Sequence, residues 1–223
     1  MCSPASLVVT KARVFWSNTS DSHEDIIEEF GLSNLDREFS MNLVRVEITP
    51  PNNNYQLPVS EWKYKIDQDL LPEWYDAEKC EERARIALND WIAEKVVMAG
   101  QIVEKLTTYK LFVFGTVQKV LDGGTVQKVS DGGTVQGVWN GGTVQEVWNG
   151  GTVQKVWNDS TVQKVWYGGT VQKVWYDGTV QKVLDGGTVI TYIKLNTSIL
   201  KRKNAVLIDR FGDEVVCYTG LQN

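Results

Sequence analysis

A chain of 223 residues, 42% hydrophobic and 23% charged, has the make-up of a folded protein with a proper core, one large domain or two small ones, and not of a disordered tract. Its net charge of -5 is spread unevenly: residues 1–114 hold 19 acidic and 12 basic side chains, residues 115–190 hold six of each, and the tail holds three acidic and five basic. No concentrated basic face results, so the usual footprint of a sequence-independent nucleic-acid binder is missing and nucleic acid is not an expected partner.

The three cysteines, Cys2, Cys80 and Cys217, are far apart, odd in number and without metal-ligand spacing. The chain opens without a basic start followed by an apolar run, and no apolar stretch reaches the length of a membrane span. A reduced cytoplasmic setting with no membrane contact is the expectation.

In chain order, Leu7 to Thr10 and Arg13 to Trp16 read as short strands. Asp21 followed by Glu24 resembles a helix-start pair ahead of the amphipathic run Ile26-Ile27-Glu28-Glu29-Phe30, closed by Gly31. Leu43 to Ile48 alternates as a strand up to Pro50-Pro51, and Trp62 to Ile66 reads as another. A longer helix is predicted over Asp76 to Val97, with Cys80, Ala84, Ala87, Leu88, Trp91 and Ile92 on one face. These elements define a small α+β domain over residues 1–110.

From Gly115 the chain repeats every nine residues: GTVQKVLDG, GTVQKVSDG, GTVQGVWNG, GTVQEVWNG, GTVQKVWND, STVQKVWYG, GTVQKVWYD and GTVQKVLDG. A ninth unit opens with GTV at Gly187 and then diverges. Units at fixed spacing without an insertion signal stacked coils, a β-solenoid over residues 111–190. We number the positions of each unit 1 to 9, from the leading Gly (Ser in one unit). Thr-Val-Gln-x-Val at positions 2–6 is β-branched strand sequence, followed by a turn. Because position 9 accepts Gly or Asp (Asp159 and Asp177), a positive φ is expected there.

Nine residues are too few to leave and return, so two units per coil are expected. Eight units then give four coils, roughly 19 Å at about 4.8 Å each. Three units per coil, or an antiparallel meander, are the rivals. Two-per-coil stacking puts Lys119, Gly137, Lys155 and Lys173 in one column and Lys128, Glu146, Lys164 and Lys182 in another, with Gly137 and Glu146 interrupting runs of like charge. The glutamines from Gln118 to Gln181 are expected to form amide ladders. The two valines of each unit point inward together if the strand kinks between them; strict alternation is the other arrangement. Residues 191–223 read as a C-terminal cap, with Ala205 to Ile208 and Glu214 to Tyr218 forming a hairpin about Phe211-Gly212-Asp213.

The TVQKVW-type units behind a domain reading SDSHEDIIEEF…VRVEITPP…WKYKIDQDLLPEWYDAEKC resemble uncharacterised bacteriophage and prophage proteins that pair an α+β head with short tandem repeats. The resemblance covers most of the chain. It implies a phage or bacterial setting and carries over no catalytic residue.

His23, the single histidine, lies in Ser22-His23-Glu24-Asp25. It suits a general base or ligand beside carboxylates, or a solvent-facing residue of a first helical turn; the second fits better, since no second His or paired Cys accompanies it. Asp67, Asp69 and Glu73 near Trp74 suit a cation site but lack calcium-loop spacing, and the nonapeptide lacks the GGxGxD pattern of calcium-binding rolls. Lys201-Arg202-Lys203 reads as a solvated turn. Trp139, Trp148, Trp157, Trp166 and Trp175 share position 7, flanked by Leu121, Ser130 and Leu184. Such a row either shields the corners of the coil or binds a sugar, a base or a protein.

The function expected is therefore a non-enzymatic interaction protein, with no catalytic, metal or cofactor residues assigned. The five tryptophans are the interaction candidates, through which the solenoid dimerises. The acidic head meets a host protein, for instance a defence or nucleic-acid enzyme to be inhibited, in the bacterial host cytoplasm. Capture of a nucleotide or glycan by the aromatic row, and a small enzyme in the head centred on His23, are the alternatives.

Overall fold

The computed structural model describes residues 5–33, 42–194, 199, 204–212 and 214–220. The chain divides into two units, Met1–Glu94 and Lys95–Asn223. The tail cluster 201–203 and Asp213 of the expected hairpin turn lie outside the described residues.

In the first unit, β1 (Ala5–Thr10), β2 (Val14–Phe15), β3 (Leu43–Thr49) and β4 (Lys63–Ile66) form an antiparallel sheet in the order β2-β1-β3-β4. All six residues of β1 are buried, as suits an inner strand. Helix α1 (His23–Glu29) buries Ile26 and Ile27 with Val8, Phe15, Leu32 and Leu43. Its start is shifted one residue from the expected pair: Ser22 is the N-cap, accepting from the Asp25 N–H. Gly31 closes the helix at φ +64°, a left-handed stop that a side chain disfavours. Helix α2 (Ala77–Lys95) buries Cys80, Ala84, Leu88 and Trp91, while Ala87 and Ile92 are half-buried. Arg85 ties the helix to the preceding loop by donating to the carbonyls of Val59 and Trp62, at 2.6 and 3.0 Å. Val96 and Val97, read as the helix end, leave it as a strand.

The second unit is the β-solenoid. Strands β5 (Val96–Val97), β6 (Ile102–Leu106), β7 (Tyr109–Val113), β8 (Thr116–Val120), β9 (Thr125–Val129), β10 (Thr134–Val135), β11 (Thr143–Val147), β12 (Thr152–Val153), β13 (Thr161–Val165), β14 (Thr170–Val174), β15 (Thr179–Val183) and β16 (Thr188–Thr191) alternate between two parallel sheets. Thr134 lies beside Thr116 and Thr152, and Thr143 beside Thr125 and Thr161. Like residues eighteen apart are neighbours, so two units make one coil. The ladders begin at Val96, ahead of the first repeat unit.

Positions 3 and 6 both face inward: Val117, Val120, Val126, Val129 and their counterparts through Val183 join one core, with accessibility at or near zero. Two residues three apart reach one side of a strand only if it bends between them. The ladder accordingly skips position 4 and breaks outright in β10 and β12, resuming as single bridges at Val138 and Val156. The glutamines sit at this bend, and among the described residues none bonds to the next. The expected glutamine ladder does not form. Gln127 accepts instead from the Tyr109 hydroxyl.

The side-chain ladder that does form belongs to position 8. Asn158 donates to Asn140 at 3.3 Å, and Asn149 donates to Asp131.

The solenoid ends in a hairpin. β17 (Val206–Asp209) joins β16 in parallel, and β18 (Val216–Thr219) folds back antiparallel on β17 as the last strand of its sheet.

Candidate functional site

Backbone close approach and turn chirality build the corners that carry the aromatic side chains. Position 1 is crowded: a Cβ on Gly133, Gly151 or Gly169 would sit 1.9–2.2 Å from the carbonyl oxygen of Val113, Val129 or Val147 in the neighbouring coil. Ser160 occupies the same position, with its hydroxyl accepting from the Trp157 N–H at 2.9 Å and donating to the Val138 carbonyl at 2.8 Å. Position 9 needs conformation instead of space. Gly132, Gly141, Gly150 and Gly168 have φ of 79–85°, and Asp159 has φ 59°, the positive value expected; Asp177, for which the same was expected, is not among the positive-φ residues.

Position 8 is also left-handed, which the repeat sequence did not lead us to expect. Asp131, Asn140, Asn149, Asn158, Tyr167 and Tyr176 have φ of 47–51°. Where position 9 is positive as well, in the units of Asp131, Asn140, Asn149, Asn158 and Tyr167, two successive positive-φ residues and a position-1 N–H bonded to the position-7 carbonyl at 2.8–3.2 Å make a type I′ turn. Asp and Asn enter that region with local help from their side chains; a tyrosine enters it at a cost of about 1–2 kcal/mol.

The five tryptophans do not make a single row. Successive units fall on opposite sheets, so the rings separate into two columns. In one, Trp139 and Trp157 have centroids 4.5 Å apart, Trp157 and Trp175 stack at 5.2 Å and 19°, and Tyr192 meets Trp175 edge-on at 5.5 Å. In the other, Trp148 and Trp166 lie 5.9 Å apart, and the Lys128 ammonium sits 4.3 Å from the Trp148 ring centroid.

All five rings are half-buried, and each indole Nε1 is buried without a hydrogen-bond partner. The Trp139 Nε1 lies 2.0 Å from where a Cβ of residue 137 would stand, so the ring lies over the bare glycine. Neighbouring rings, and at Trp148 a cation, lie against these indoles, and their N–H groups are buried. The indole donors are thus withdrawn from solvent.

What the corners expose are the tyrosines. Tyr167 is 55% accessible and lies against Trp148 and Trp166, with centroids at 6.1 and 4.7 Å. Tyr176 is 66% accessible and lies against Trp157 and Trp175, at 5.6 and 6.5 Å. Each phenol thus stands at a corner on a base of two indoles.

No protein-family model, no curated protein and no solved structure matches the chain.

In the first unit, His23 is buried and not solvent-facing. Its Nε2 lies 3.1 Å from the Val46 carbonyl oxygen and its Nδ1 lies 3.5 Å from Asp67 Oδ2. Both nitrogens face acceptors, so the ring fastens α1 to β3 and to the end of β4. Asp67 also accepts from Lys65 at 3.0 Å, and that bond chiefly holds its carboxyl below the usual range. Asp67 is therefore engaged apart from Asp69 and Glu73, which are exposed or half-exposed elsewhere on the segment. Among the described residues, no group of three or more His, Cys, Asp or Glu is placed to hold a metal ion, and no helix is long and apolar enough to cross a membrane.

In the outer columns, Glu146 lies in register between Lys128 and Lys164, with N–O distances of 3.8 and 3.3 Å. Burial pushes the Lys128 ammonium below its ordinary pKa, and Glu146 opposes that shift.

Proposed function

We propose that this chain is a non-enzymatic interaction protein, phage or prophage encoded and acting in the bacterial cytoplasm, whose solenoid is a rigid scaffold presenting aromatic corners to a partner protein. The observation that carries this reading is the placement of Tyr167 and Tyr176 at left-handed turn positions where the other units use Asn or Asp. A bulky aromatic there costs stability, and the cost recurs on both edges of the coil. Exposed tyrosine on a rigid base offers large amphipathic contact area at little entropic cost, the chemistry of protein recognition. The indole columns stiffen that base. The acidic excess of residues 1–114 adds an electrostatic surface suited to the basic groove of a host nucleic-acid or defence enzyme.

The test is the double variant Tyr167→Asn, Tyr176→Asn, compared with the parent chain for melting temperature and for proteins retained from bacterial lysate. The expected outcome is a more stable protein, by about 1 kcal/mol per site, that loses a partner the parent retains. A variant that retains the same proteins as the parent, or a parent that retains none, overturns the reading.

A further inference from the structure

A sheet that ends without closing leaves a row of unpaired N–H and C=O groups, and soluble proteins usually guard such an edge with charge, proline or cover. The two sheets have four end strands; β5 is only two residues long and buried, and the other three allow a comparison. β6 carries exposed Glu104 and Lys105, and β15 carries exposed Lys182. Each is guarded. β18 reads Val216-Cys217-Tyr218-Thr219 and is preceded by Val215: five residues without a charge or a proline. Val215 is 65% and Val216 39% accessible, and Cys217 is a free, exposed thiol.

The register shows which backbone groups are open. The Gly220 N–H donates to the Ala205 carbonyl at 2.8 Å, one step beyond the Val206–Thr219 pair. Because antiparallel bonding alternates along a strand, Val216, Tyr218 and Gly220 direct their polar groups toward β17. Val215, Cys217 and Thr219 direct theirs outward. Among the described residues no strand occupies that outer side.

We propose that the outer edge of β18 pairs antiparallel with β18 of a second copy, about a two-fold axis at Cys217, joining two eight-stranded sheets into one. An antiparallel strand is its own complement under a two-fold axis: Cys217 faces Cys217, Val215 faces Thr219, and no like charges meet. The absence of charge gives a foreign partner nothing to select, whereas self-pairing needs none. The contact is isologous and closes at two chains, so an unguarded edge yields a dimer and not a fibre. This surface is separate from the aromatic corners, and either reading stands if the other fails.

Sedimentation velocity on the full chain tests it, alongside Cys217→Lys and Thr219→Lys variants. The parent is expected at twice the chain mass. Each variant is expected at the chain mass with an unchanged circular dichroism spectrum, since each lysine side chain replaces an exposed one. In a Cys2→Ser background, a short bismaleimide should link the parent chains through Cys217. A parent that sediments as a monomer at tens of micromolar overturns the proposal. So does a dimer that survives both substitutions, which places the contact elsewhere. If one variant misfolds, the other and the bismaleimide link decide.

Discussion

Glu146 breaks a column of lysines where the sequence offers nothing else to do so. Its carboxylate reaches both Lys128 and Lys164, and Lys128 is already disfavoured as a cation by burial. Glu146→Gln keeps the shape and leaves the two ammonium groups flanking a neutral residue. We expect a loss of about 0.5–1 kcal/mol at low salt, shrinking as salt is added, read by thermal melting at two ionic strengths. The pH dependence has a definite sign. With its folded pKa below the unfolded value, Lys128 binds fewer protons in the folded state, so its contribution to stability rises with pH through the alkaline window up to about 10.4. This role was legible in the sequence, because eighteen-residue stacking alone aligns Lys128, Glu146 and Lys164. His23 was not: no local pattern announces that β3 and the end of β4 will bring Val46 and Asp67 to its ring.

The strand-turn unit depends on two adjacent glycines for different reasons. At Gly132, Gly141, Gly150, Asp159 and Gly168 position 9 takes a left-handed backbone, while Asp177 reaches the next unit without one. In the glycine units position 1 leaves no room for a Cβ, because a carbonyl of the preceding coil passes there; Ser160 alone carries one, with its hydroxyl bonded to that carbonyl. Gly151→Ala is therefore expected to cost about 1–3 kcal/mol, measured by denaturant unfolding, since its methyl would meet the Val129 carbonyl at 2.2 Å without the hydroxyl bond that Ser160 makes. Ser160→Gly should change stability by less than about 0.5 kcal/mol, because the Trp157 N–H and the Val138 carbonyl stay bonded to each other at 3.0 Å once the hydroxyl is gone. Position 9 could be read from its Gly/Asp usage. Position 8 could not, because Asp, Asn and Tyr together suggest no single conformation. The bend at glutamine likewise follows only once two core valines three residues apart are seen to need it.

Across the whole molecule, the nine-residue spacing led directly to the solenoid and its two-unit coil, and the runs Ala205 to Ile208 and Glu214 to Tyr218 to its terminal hairpin. The earliest coils stayed hidden because their arcs are shorter. Tyr109 lies beside Thr125, sixteen residues on, and Ile102 beside Thr116, fourteen on, so no nine-residue period runs through them. Their valines and leucine join the same core without sharing the repeat. The single tryptophan row became two columns for a related reason: a nine-residue step is half a turn, and only a full turn returns a side chain to its own edge.

The most direct test of this architecture is disulfide formation between outward threonines replaced by cysteine, in a chain freed of its three native cysteines. Thr143 and Thr161, eighteen residues apart, are neighbours in register, at a spacing a disulfide spans. Thr143 and Thr152, nine apart, belong to different sheets. Mild oxidation is expected to close the first pair nearly completely and leave the second as free thiols. Closure of the nine-residue pair, or of a pair twenty-seven apart such as Thr134 and Thr161, with the eighteen-residue pair left open, would contradict the two-unit coil on which the corners, the columns and the open edge all rest.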